Sequence, residues 1–137
     1  MAYKVRYKNT CTPQEKINFS SGSRWYTDSD CGRKLGGSAS IDLSAINSNE
    51  VSQLIGSSPH VVCDGGQDFI FIKNLEGPNN SAVLLISLSG TDGHHFRIGL
   101  LSGEIFASKV KNDVTCYIKA SGTGIPSVKA QYFEASI

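Results

Sequence analysis

The feature that most constrains this chain is an alternation of apolar and polar residues with period two, broken roughly every eight to twelve residues by clusters of Gly, Ser, Asn and Asp. Successive side chains of a strand point to opposite faces, so such a chain folds as half-buried strands joined by turns. The pattern predicts an all-β chain, an antiparallel β-sandwich of jelly-roll-like form with about eight to ten strands. Its 137 residues fit one domain over 1–137. A chain of that size buries roughly 68% of the surface its unfolded form exposes, so its core needs no metal or disulfide.

Tyr3-Lys4-Val5-Arg6-Tyr7-Lys8 sets Tyr, Val and Tyr on one face and three cations on the other, which predicts a half-buried edge strand. Strands are expected at Glu15 to Phe19 and over 24–27, with a Gly- and Ser-rich loop over 28–40. Over 41–55 the pattern is mixed. Ile41 and Leu43 suit a strand, whereas Val51, Leu54 and Ile55 suit a helical turn, with Asn47 and Glu50 spaced as a capping box.

Cys63-Asp64-Gly65-Gly66 marks a turn. The runs Asp68-Phe-Ile-Phe-Ile-Lys-Asn74 and Ala82-Val-Leu-Leu-Ile-Ser-Leu88 are continuously apolar and rich in aromatic and branched residues, as central strands are. An Asp92-Gly93 turn is expected to fold the second run onto a strand at His95-Phe-Arg-Ile98. Further strands are expected over 104–110, 114–120 and 128–135. The predicted core holds Phe69 and Phe71, or their alternates Ile70 and Ile72, together with Leu84, Ile86, Val114, Cys116 and Ile118.

Thirteen Lys and Arg against twelve Asp and Glu give a net charge of +1, which argues against a dedicated nucleic-acid or anionic-membrane binder. The Met-Ala-Tyr-Lys-Val-Arg-Tyr-Lys opening contains no apolar run of signal-peptide length, and nothing approaches a membrane span. Synthesis in the cytoplasm is the expectation, with Cys11, Cys31, Cys63 and Cys116 reduced. Asn18-Phe19-Ser20 and Asn79-Asn80-Ser81 then match the glycosylation pattern by chance.

The residue types that carry chemistry do not gather. His60 and Cys63 with His94 and His95 are the one candidate metal set, but adjacent histidines on a strand face opposite sides, so the expectation is no metal. Asp28-Ser-Asp30 with Gly32 lacks the glycine position and closing Glu of a calcium loop. Neither G-x-S-x-G nor a local signature around any Cys is present, so neither catalysis nor a cofactor is expected. Arg24-Trp25-Tyr26 is the best aromatic patch, since alternation leaves one of the two rings available to a partner or a sugar.

Phe69-Ile-Phe-Ile-Lys-Asn74, Asn79-Asn80-Ser81, Val83-Leu-Leu-Ile-Ser-Leu-Ser-Gly90, Ile98-Gly-Leu-Leu-Ser-Gly-Glu104 with Phe106, and Cys116-Tyr-Ile-Lys-Ala120 with Ser121-Gly-Thr-Gly124 follow one another in order. This succession resembles small virion structural proteins of tailed bacteriophages, several of them β-sandwich capsid decoration or cement proteins. The resemblance implies a non-enzymatic virion component, assembled in the host cytoplasm, that binds the major capsid protein or another virion protein as a homo-oligomer. A carbohydrate-binding module, or a tail or adhesin domain, is the alternative. The expected contact surface comprises Tyr3, Lys4, Arg6, Tyr7, Lys8, Arg24, Trp25, Tyr26, His94 and His95, on edges and loops left over from the core.

Overall fold

The computed structural model describes residues 5–7, 9–26, 46–64, 66–88, 95–111 and 113–135. Among these residues ten strands form: β1 (Glu15–Phe19), β2 (Gly22–Tyr26), β3 (Ile46–Ile55), β4 (His60–Asp64), β5 (Phe69–Asn74), β6 (Val83–Ser87), β7 (Ile98–Leu100), β8 (Ile105–Lys109), β9 (Thr115–Ser121) and β10 (Ser127–Ala135). β1 and β2 make a separate hairpin, while the other eight make two antiparallel sheets of order β3-β10-β5-β8 and β4-β9-β6-β7.

The connectivity has a simple logic. Within these eight strands the first pairs with the last (β3 with β10), then β4 with β9, β5 with β8 and β6 with β7. They form one long nested hairpin whose successive rungs go alternately to the two sheets. Contacts of β10 with β5 and of β9 with β6 then close each sheet. This is the jelly-roll arrangement, so the expected fold class holds down to its topology.

One hydrophobic cluster draws buried residues from both sheets, with Leu54, Ile70, Ile72, Val128, Ala130 and Tyr132 from the first and Val62, Leu84, Ile86, Leu100, Cys116, Ile118 and Ala120 from the second. β9 alternates strictly, burying Cys116, Ile118 and Ala120, though Val114, expected among them, is only half-buried. β5 departs from alternation because it is covered on both sides. Ile70 and Ile72 face the shared core, while Phe71 stacks on Phe133 of β10 (5.0 Å between centroids) on the outer face, beside Ala135, Phe69, Ile105, Ala107 and Cys11.

Three expectations need correction. Residues 5–7 are not strand, and Val5 (84% exposed) and Tyr7 (77%) lie at the surface, not on an inward face. Side-chain bonds rather than a ladder hold this segment: Tyr7 Oη donates to Glu104 and Asn9 Nδ2 donates to the Ile105 carbonyl. The helical turn within 41–55 is instead strand β3, since pairing with β10 overrides the local spacing of Val51, Leu54 and Ile55. In that strand Leu54 is buried and Ile55, its neighbour, is 66% exposed, as period two requires. Finally, β7 begins at Ile98 rather than at His95, with Ile98 opposite Ile86. The loop over 28–40, the Asp92-Gly93 turn and the Asp28–Gly32 segment lie outside the described residues.

Candidate interaction surfaces

The corner where the chain crosses from β7 in one sheet to β8 in the other is built around Asn74, the last residue of β5 and fully buried. Its main-chain N–H donates to the Glu104 carbonyl and its carbonyl accepts from Gly103 N–H. Its side chain donates to the Leu100 carbonyl (2.9 Å) and accepts from Glu76 N–H (3.0 Å). A buried amide is tolerated here because each of its groups is satisfied by a turn that would otherwise leave polar groups unpaired. Gly103 turns with φ +78°, a conformation that suits glycine.

Beside this corner lies a cavity of about 530 Å³ between the N-terminal segment and β7–β8, lined among others by Tyr7, Asn9, Lys73, Glu104 and Phe106. The Glu104 carboxylate is committed. One oxygen accepts from Leu101 N–H (2.6 Å) and the other from Tyr7 Oη (3.2 Å), so it braces the turn and the arm. Burial raises the pKa of the Cys11 thiol a few residues along.

In the adjoining turn between β5 and β6, Asn80 donates to the Ser127 carbonyl and accepts from Ala82 N–H, and Glu76 accepts from Lys129 N–H at 2.7 Å. That backbone bond holds the Glu76 carboxyl below its ordinary range, against a smaller opposing effect of burial.

The predicted contact residues fall on separate elements. Arg24 and Trp25 are exposed on the β1–β2 hairpin, where Trp25 (61% exposed) stands opposite Lys16 and Arg24 opposite Ile17. Tyr26 ends β2 opposite Glu15. Arg6 and Tyr7 belong to the N-terminal segment, and exposed His95 precedes β7. Tyr3, Lys4, Lys8 and His94 lie outside the described residues. Next to His95, Phe96 carries the Lys119 ammonium over its ring at 4.3 Å.

His60, weighed above as a metal ligand, is used differently. It opens β4 and its Nε2 is 2.5 Å from Tyr132 Oη, which lies 3.2 Å from Ser52 Oγ. The rings meet edge to face at 5.3 Å. This node ties β4 of one sheet to β10 and β3 of the other. Sequence reasoning missed Tyr132, whose signal is a tyrosine at an inward position of β10, where a buried hydroxyl needs a partner. The chain matches no protein-family model, no curated protein and no solved structure.

Proposed function

We propose that this protein is a non-enzymatic virion structural protein that binds the exterior of a phage capsid and reinforces contacts between capsomers. The observation that carries this reading is the jelly-roll connectivity, an architecture on which viral capsid domains are built. An analogy of fold supports it, joined to the resemblance of the residues from about 61 to 135 to phage virion proteins. The major capsid protein is the partner, and the protein acts as a homo-oligomer in the virion after assembly in the host cytoplasm. In this reading the exposed Arg24 and Trp25 of the hairpin meet the partner, since an aromatic beside cations makes a strong anchor when desolvated.

Exposed Trp25 also supports a second reading, a carbohydrate-binding module or adhesin domain that stacks a sugar ring on the indole. Co-sedimentation separates the two. The purified protein should pellet saturably with particles lacking it and should bind no sugar on a glycan array. Failure to pellet with such particles would overturn the capsid reading, and glycan binding abolished by Trp25→Ala would establish the other.

A further inference from the structure

We propose that this protein self-associates through strand β3, two copies pairing antiparallel about Gln53 so that the β3-β10-β5-β8 sheet continues across a twofold axis. Among the described residues the two sheets end in four edge strands, and three are blunted in ways that discourage pairing with another chain. β7 has only three residues, β4 is short and bulged between Val61 and Cys63, and β8 is engaged at Ile105 by the Asn9 side chain. β3 is different. It runs for ten residues, contains neither Lys nor Pro, and among the described residues pairs only with β10.

Hydrogen bonding fixes which of its groups are offered. Gly56 N–H donates to the Pro126 carbonyl, and in an antiparallel ladder alternate residues face alternate sides. Residues 52 and 54 therefore face β10, while the N–H and C=O groups of Val51, Gln53 and Ile55 point outward from the sheet edge. Pairing β3 with its own copy about Gln53 sets 53 opposite 53 and 51 opposite 55, so outward-facing groups meet only outward-facing groups.

Side chains choose the same register. Val51 (38% exposed) and Ile55 (66% exposed) lie on one face with Gln53 between them, and this pairing brings Val51 against Ile55 twice. The strand has one formal charge, Glu50, which the register sets opposite Gly56 rather than against its own copy. A register centred two residues earlier would place Ile55 opposite Asn47 and leave one apolar pair, Val51 against Val51, in place of two. Matching edge hydrogen bonds, apolar pairs and the absence of like-charge opposition make a second copy the occupant, in the isologous manner of a twofold dimer.

The inference does not rest on the capsid reading, since it is measured on the isolated full chain. Sedimentation equilibrium across a wide concentration range should show reversible monomer–dimer exchange. Val51→Lys with Ile55→Lys should weaken dimerisation by about tenfold or more through two opposed cation pairs. Val51→Lys with Ile55→Glu, which sets the new cation opposite the new carboxylate, should restore it. Circular dichroism checks that both variants fold. Independently of any variant, amide exchange in the wild type should slow at Val51, Gln53 and Ile55 as concentration rises. A strictly monomeric wild type, a double-lysine variant that dimerises as the wild type does, a charge-swapped variant no better than it, or exchange at those amides indifferent to concentration would each overturn the proposal.

Discussion

Asn74 holds more of this fold than its type suggests. Three of its four hydrogen bonds join the end of β5 to the β7–β8 corner, the fourth closes its own turn at Glu76, and it is completely buried. Asn74→Leu keeps the size but strands the Leu100 carbonyl and the Glu76 N–H, so urea unfolding should show a loss of about 2–3 kcal/mol. Among the described residues two ionisable groups, Glu76 and Cys11, have shifted pKa values. The depressed Glu76 carboxyl contributes stability that is present above the ordinary carboxylate range and is lost as pH falls through its lowered pKa. Glu76→Gln should therefore lower the melting temperature at neutral pH, and the gap from wild type should close in acid. Cys11 has its thiol pKa raised by burial, so at neutral pH it holds less thiolate than an exposed cysteine and should react more slowly with a thiol reagent. Labelling Cys11 as fast as an unfolded control would contradict this.

Among the elements, the N-terminal segment divides into parts with different roles. Tyr7 and Asn9 fasten it to the β8 edge, and Cys11 packs on the Phe71 and Phe133 cluster. Deleting residues 1–8 should leave the β fold intact, whereas deleting 1–14 uncovers that cluster and should cost about 1–2 kcal/mol, with new binding of an apolar dye. Strands β5, β6, β9 and β10 were legible because their apolar runs and alternation answer to burial. Alternation failed as a guide at residues 5–7, which are not strand: Val5 and Tyr7 are exposed, and a side-chain bond from Tyr7 to Glu104 fastens the segment instead. It was ambiguous at β3 because an edge strand leaves Val51 and Ile55 exposed beside buried Leu54, so apolar residues occupy both faces. The His60–Tyr132–Ser52 node was out of reach for another reason, since the bond spans 72 positions and exists only once the sheets face each other.

For the whole molecule, the nested pairing makes the central rungs interdependent. Ile86 and Ile118 are fully buried and directly opposed on β6 and β9. Ile118→Ala should cost about 3–4 kcal/mol in chemical denaturation, and loss of a cooperative transition would mark collapse of both sheets together. The central functional claim is that this jelly roll sits on the outside of a capsid. The most direct test is a pair of cryo-electron microscopy reconstructions, of phage particles with and without the gene for this chain. If the jelly roll sits there, difference density will lie on the outer surface of the shell, repeated with the shell's symmetry and fitted by the two four-stranded sheets. Shells with identical outer surfaces in the two maps would contradict it.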